Sequence, residues 1–424
     1  MKKNLLAVSL LILLLTSCDK LTNVNNGNVE LLWMRHLGSK QNDIGNDAVV
    51  DSSGIYITGV TLGSLDENES SGEWDIFLTK YTHEGEKQWI RQWGTNKRDK
   101  GLSAAIASDG FVYVTGRVSG PLSGCRAFGG KDIFLSKFST NGENIWTIQW
   151  GTEADDEGRG VTVTYEGIYI TGSTCGNLDG NANSGKSDIF LTKVNPAGEK
   201  LWTRQLGTVE TEWGKDISSD NNGLYITGFT MGKLDGKEAY GYDDSFLVRY
   251  DFEGKVLWLK QWGTAGNDEG NSVALDSSGV YVCGRSNGNL FEAMRIGKDD
   301  AFLVKFDTEG KHLWTNIAGT RTNDSGRGVT INSNGKVCMT GVTGGTLNNK
   351  RKYGTPDIFL ILYDSLGKKE LEKQFETGGF DFPWSAVFYK EDLYIAGDTS
   401  FGLDGKKNEN DNRDVFIFKL RLKN

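Results

Sequence analysis

The feature that most constrains how this chain can fold is an internal period. The motif Asp-x-Phe-(Leu/Ile) opens at Asp75, Asp132, Asp188, Asp244, Asp300, Asp357 and Asp414, with spacings of 57, 56, 56, 56, 57 and 57 residues. A Trp ahead of a polar, alternating run keeps the same phase at Trp33, Trp89, Trp146, Trp202, Trp258 and Trp314, with Leu371 in the seventh place. A Gly closing a β-rich run recurs at Gly59, Gly116, Gly172, Gly228, Gly284, Gly341 and Gly397. Three independent markers therefore give seven copies of one unit, the signature of a repeat architecture rather than of two or three unrelated domains.

Within a unit the periodicity is that of strands. Ala48-Val49-Val50-Asp51 leads through Ser52-Ser53-Gly54 into Ile55-Tyr56-Ile57-Thr58-Gly59; a long Gly/Asp/Ser loop precedes Ile76-Phe77-Leu78-Thr79-Lys80-Tyr81, and His83-Glu84-Gly85-Glu86 turns into Gln88-Trp89-Ile90-Arg91-Gln92-Trp93. Short β-branched and aromatic runs between Gly, Asn, Asp and Ser, with no i, i+3, i+4 stripe, read as four antiparallel strands, A to D. Four strands repeated seven times predict an all-β, seven-bladed β-propeller. The last copy ends on a strand C at Asp414–Leu420, and the first recognisable element, Val29–His36, is a strand D with nothing before it. The N-terminal strand is thus expected to complete the C-terminal blade, closing the ring and removing its exposed edges. The 56 glycines are then the punctuation of about twenty-eight strands.

The phrases Trp202-Thr203-Arg204-Gln205-Leu206-Gly207-Thr208, Ser187-Asp188-Ile189-Phe190-Leu191-Thr192-Lys193 and Leu275-Asp276-Ser277-Ser278-Gly279-Val280-Tyr281-Val282 resemble the bacterial seven-bladed β-propeller repeat (SBBP) family. The resemblance covers residues 30–420 and is closest to lipoprotein members of that family. It implies a propeller in the envelope or outside the cell, and no shared catalytic set, so function has to be argued from the site.

The N-terminus supplies an address. Two lysines precede the apolar run Leu5–Leu15, and Leu15-Thr16-Ser17-Cys18 follows. Eleven apolar residues, at about 1.5 Å each, cannot cross a hydrocarbon core of about 30 Å, so the segment reads as a secretory signal. Its ending resembles a bacterial lipobox, which implies cleavage before Cys18 and lipid on that residue. The expected organisation is a signal peptide at 1–17, a lipidated Cys and polar tether at 18–29, and one propeller at 30–424. Acyl chains would anchor the body to a membrane of the bacterial cell envelope, at the outer membrane or cell surface. The formal charge of −9 becomes −11 once Lys2 and Lys3 are removed, which argues against nucleic acid as a partner.

Long loops on a rigid scaffold are where binding sites are built, and here the long connections are B-to-C, about fifteen residues, on the face called top. The D-to-A loops on that face carry Asp43, Asp99, Asp156, Glu212, Asp268, Asp324 and Asp381 in one register. Seven carboxylates near an axis could bind a cation such as calcium, or each could fix its own turn by accepting backbone amides. The Leu-Asp-Gly turns at Leu178, Leu234 and Leu403 would be further oxygen ligands. Residues that break the repeat say more about function. Nine of the twelve Trp fall in D strands, read as core wedges; Trp74, Trp213 and Trp384 map to the top face and are candidates for gripping a peptide or stacking on sugar.

Chemistry has little support. The three histidines, His36, His83 and His312, belong to strand D or C-to-D turns, away from the top, and no Cys-x-x-Cys, P-loop or dinucleotide motif is present. Cys125 and Cys175 lie in neighbouring top loops, where a disulfide is conceivable in an oxidising compartment. The reading is a monomeric, membrane-tethered lipoprotein that binds a protein or glycan ligand through its top loops and needs no cofactor. The alternatives are an envelope assembly scaffold and a glycan-degrading hydrolase or lyase using top-face carboxylates.

Overall fold

The structure, a computed structural model, describes residues 29–234, 236, 239–347, 356–375, 379–400 and 412–423. The signal segment, Cys18, Asp235 and the turn at Leu403 lie outside the described residues. Seven four-stranded antiparallel sheets form the blades of a propeller. Blade 1 is typical: strand A Asp43–Asp51, B Gly54–Thr61, C Asp75–Tyr81 and D Lys87–Trp93. Strand A lies on the axis and D on the outside. Blade 7 is built from Asp381–Tyr389, Asp392–Thr399 and Asp414–Leu422, with the N-terminal Val29–Leu37 as its strand D. That strand runs antiparallel to the last one, from Val29 opposite Leu422 to Leu37 opposite Val415. The ring closes as the sequence predicts.

Burial follows strand position. Strands B and C are buried along almost their whole length, because the neighbouring blades cover both faces, whereas strand D alternates between half-buried and exposed residues. Strand C carries the deepest apolar residue of each blade, Phe77, Phe134, Phe190, Phe246, Phe302, Phe359 and Phe416, none more than 2 % exposed. These rings explain the recurrent glycine. Gly59 sits inside strand B rather than at its end; a Cβ there would lie 1.9 Å from the Ile44 carbonyl and 2.8 Å from the Phe77 ring. The residue is fixed by the close approach of the strand A carbonyl and of the ring, not by a turn.

Of the D-strand Trp residues, Trp150 and Trp262 are buried core wedges as expected, at 2 % and 4 % exposure. The in-phase set that includes Trp89 differs: these are half-buried clips between blades. Trp89 donates its Nε1 to the Thr140 carbonyl in the C-to-D turn of blade 2, and Lys80 reaches the same oxygen. The turn glycine Gly142, at φ +78°, lies against the Trp89 ring, where a Cβ would be 2.8 Å away. Such clips recur around the ring at Trp33, Trp146, Trp258 and Trp314.

Candidate functional site

The site begins with a backbone irregularity. In every blade the A–B ladder skips one residue of strand A, between Gly45 and Asp47 in blade 1 and between Pro383 and Ser385 in blade 7. A β-bulge leaves its extra residue outside the ladder and re-aims its side chain. The seven skipped residues are Asn46, Leu102, Arg159, Lys215, Asn271, Arg327 and Trp384. All seven line one axial cavity of about 370 Å³. Ile44, Lys100 and Glu157 of strand A and Val60 and Arg117 of strand B line it too. A larger cleft of about 830 Å³ lies on the outer flank between blades 1 and 2, against Trp93, Phe138 and Trp146. Those are residues of the repeating blade framework.

The axial funnel is cationic although the protein is acidic. Five bases line it, Lys100, Arg117, Arg159, Lys215 and Arg327, against the carboxylates Asp47, Glu157 and Asp216. Glu157 bridges Arg117 at 2.8 Å and Arg159 at 2.9 Å. Glu269 pairs with both Lys215 and Arg285. Burial opposes ionisation of Glu269, but the two cations outweigh it and hold the carboxyl down at about 2. Burial, with Arg159 and Arg327 nearby, lowers Lys215 to about 8 despite Glu269. Asp216, in the funnel lining, is raised to about 6 by burial, although it accepts the Val273 amide. Lys100 and Arg327 have no carboxylate partner among the described residues. The buried Nε of Arg117, Arg159 and Arg327 makes no hydrogen bond. Cations held over aromatic faces keep their outward N–H groups for a ligand.

The three irregular tryptophans supply those faces. Arg159 lies 4.3 Å from the Trp213 ring centroid, Arg327 4.8 Å from Trp384, and Lys100 4.5 Å from Trp74. Trp213 and Trp384 belong to strand A and all three are half-buried. Trp384 stacks on Phe382 and donates to Asp398 at 2.5 Å. Asp398, raised to about 6 by burial, also pairs with Arg413 at 3.3 Å. Of the three predicted tryptophans, Trp384 lines the funnel, while Trp74 and Trp213 lie against its cations Lys100 and Arg159, which the sequence reading did not single out.

Each carboxylate of the acidic register is buried in its own turn. Asp43, Asp99, Asp156, Glu212, Asp268, Asp324 and Asp381 are at most 1 % exposed, one in each D-to-A turn. In six turns the carboxylate accepts the amide four residues upstream, as Asp99 does from Thr95, Asp156 from Thr152 at 2.5 Å and Glu212 from Thr208 at 2.7 Å. No group of three or more His, Cys, Asp or Glu side chains among the described residues is placed to hold a metal. Asp179 of the Leu178 turn pairs with Lys200. Cys125 and Cys175 are both free thiols. His83 bonds Tyr394 and the Asp51 carbonyl, and His312 stacks on Phe291, both remote from the funnel.

Comparison with known proteins agrees on the architecture. A family model described as SBBP, beta-propeller repeat, matches residues 257–292. The chain is 27 % identical over 336 residues to the regulatory protein FlaEY of Caulobacter vibrioides, covering 68 % of this chain and 35 % of that protein. It is 25 % identical over 328 residues to an uncharacterized WD repeat-containing protein of Acanthamoeba polyphaga mimivirus, covering 66 % of this chain and 20 % of the relative. The chain thus spans 35 % and 20 % of the length of the curated relatives it matches. Among solved structures, the WD40 β-propeller domain of Doa1 superposes with a TM-score of 0.50 at 14 % identity, covering 92 % of this chain and 96 % of that one.

Proposed function

We propose that this chain, which belongs to the SBBP beta-propeller repeat family, is a membrane-tethered binding module of the bacterial cell envelope that holds a macromolecular ligand on its top face. One observation carries this reading. The blades repeat one another in their framework, yet the seven bulge residues aimed at the axis run Asn, Leu, Arg, Lys, Asn, Arg and Trp. A propeller needs no such variety to fold, and an irregular lining on a regular scaffold is what selective binding uses. The likeness to a regulatory protein and to a WD40 domain supports interaction as the role. The lipobox-like Leu15-Thr16-Ser17-Cys18 supports the tether.

Two experiments test it. A photo-crosslinking amino acid at Tyr242, on a top loop, should capture a macromolecular adduct in living cells, while the same probe at Tyr165, in a bottom turn, should not. Equal capture at both positions would overturn the top-face assignment. For the tether, labelled palmitate should enter the wild type and not Cys18→Ser, which should leave the membrane fraction. An unlabelled wild type would remove the lipid anchor from the proposal.

A further inference from the structure

Among the described residues, the exposed large apolar side chains of the top loops gather in one sector. Tyr242 and Met294 are 76 % and 77 % exposed, and Val209, Met231, Tyr240, Phe291 and Ile296 are also exposed, against Phe128 and Phe380 elsewhere on that face. All seven belong to the loop entering blade 4 or to the B-to-C loops of blades 4 and 5. Apolar side chains gathered on one sector of a surface mark a protein contact. That sector adjoins the most cationic part of the funnel, where Lys215 of blade 4 lies within electrostatic reach of Arg159 and Arg327. Glu269 and Glu157 neutralise part of this charge, and Arg327 has no carboxylate of its own among the described residues.

We propose that a polypeptide partner docks over the top loops of blades 4 and 5 and inserts one acidic side chain into the axial funnel, where Arg327, Arg159 and Lys215 receive its carboxylate. The proposal rests on the top-face reading and adds the chemistry of the ligand. A cavity of about 370 Å³ holds a single side chain. Arg159 and Arg327 are braced by Trp213 and Trp384, so their forks are pre-set for the two oxygens of a carboxylate. Glu157, Glu269 and Asp398 around the same axis would repel a densely charged polyanion while tolerating one carboxylate. The apolar rim favours a polypeptide over an acidic sugar, whose hydroxyls would find few partners on Tyr242, Met294 and Ile296.

The test is a selection of random twelve-residue peptides displayed on phage against the full chain extracted in mild detergent. The expected winners carry an Asp or Glu flanked by apolar residues. Replacing that acid by Asn or Gln should weaken binding at least tenfold, as should Arg327→Gln. Neither Arg327 nor Lys100 forms an ion pair among the described residues, so Arg327→Gln and Lys100→Gln should melt close to the wild type. Winners without an acidic residue, or binding that survives in Arg327→Gln, would overturn the proposal. An array of uronate-bearing and sulfated glycans is run in parallel. Glycan binding lost in Arg327→Gln, with no peptide selected, would overturn the polypeptide ligand yet leave the top-face reading standing. Selected peptides that crosslink to Tyr165 in the bottom turn would overturn that reading as well.

Discussion

Glu269→Gln tests whether the funnel carries the internal charge balance described here. Gln mimics the protonated acid, so the cost of the change equals the stability that ionised Glu269 supplies. Its carboxyl is held at about 2, against 4.5 for a free glutamate. The difference of about 2.5 units corresponds to about 3 kcal/mol at neutral pH. The sign is that of a depressed acid: the contribution is present above pH 4.5 and is lost as pH falls toward 2. The side chain is only 15 % exposed, so solvent screening removes little of this. The loss falls on Lys215, also 15 % exposed, whose next charged neighbours are like-charged; Arg285 is more exposed and keeps Asp299 at 3.5 Å. For about 390 folded residues the unfolding entropy is roughly 0.8 kcal/mol/K, so the melting point should drop by about 4 °C. Calorimetry at pH 7 and low salt measures this. Adding Lys215→Met removes the stranded cation and should recover most of the loss, giving a coupling of about 2 kcal/mol in a double-mutant cycle. A Glu269→Gln variant that melts within 1 °C of the wild type, or a double variant that recovers nothing, would refute the reasoning.

Three further outcomes are expected. Deleting residues 29–38 should leave the strand at Asp414–Leu422 without its partner and abolish soluble, monomeric protein; a stable monomer by size-exclusion chromatography would contradict ring closure. Phe190→Ala removes a fully buried ring and should cost about 3–5 kcal/mol in urea denaturation, so a loss below 1 kcal/mol would mean that the blade contacts are not tightly packed. Asp216 is raised to about 6, so the folded state holds its proton more tightly than the unfolded one and this stabilisation is lost as pH rises from about 4 through 6. The urea midpoint should therefore rise on going from pH 7 to pH 5, and less so in Asp216→Asn; identical slopes in the two proteins would exclude Asp216 as the source.

The architecture was legible because each blade must satisfy the same contacts. The Phe of strand C, the Gly of strand B that lets it approach, and the Trp that clips the next blade recur at a fixed interval, so counting any one gives the blade number. The roles of two of these markers were less legible. Gly59 reads as a strand end because glycine commonly marks turns, whereas the deciding factors are the Ile44 carbonyl of the neighbouring strand A and, behind it, the Phe77 ring of strand C. Trp89 reads as a core residue because Trp is large, yet its Nε1 needs an acceptor and finds one at the blade edge, on Thr140. Irregular residues pointed to part of the site: Trp74, Trp213 and Trp384 stand out because no blade needs them. The cations did not stand out, since net charge is a sum over the whole chain and cannot reveal a local reversal of sign. Their signal was available in one register, the position three after each turn acid, which varies from Asn46 to Trp384 while its neighbours repeat.

That register varies for a mechanical reason. Residues in a ladder answer to the sheet: the Gly of strand B must admit a ring, and the turn acid must accept its amides. The bulge residue is excused from the ladder; Asn46 and Asn271 use that freedom to donate to a glycine carbonyl of the next blade, whereas at the other positions the side chain changes in charge and size without disturbing the pairing of strands. Seven such positions on a stiff ring allow charge, size and aromaticity to change without rebuilding the fold. In this chain they collect Arg159, Lys215 and Arg327 on an otherwise acidic body, with tryptophan faces holding both arginines in place. The same logic separates two kinds of damage: Gly59→Ala strikes the framework and should unfold the protein, whereas Arg327→Gln should spare the fold and change what the funnel accepts.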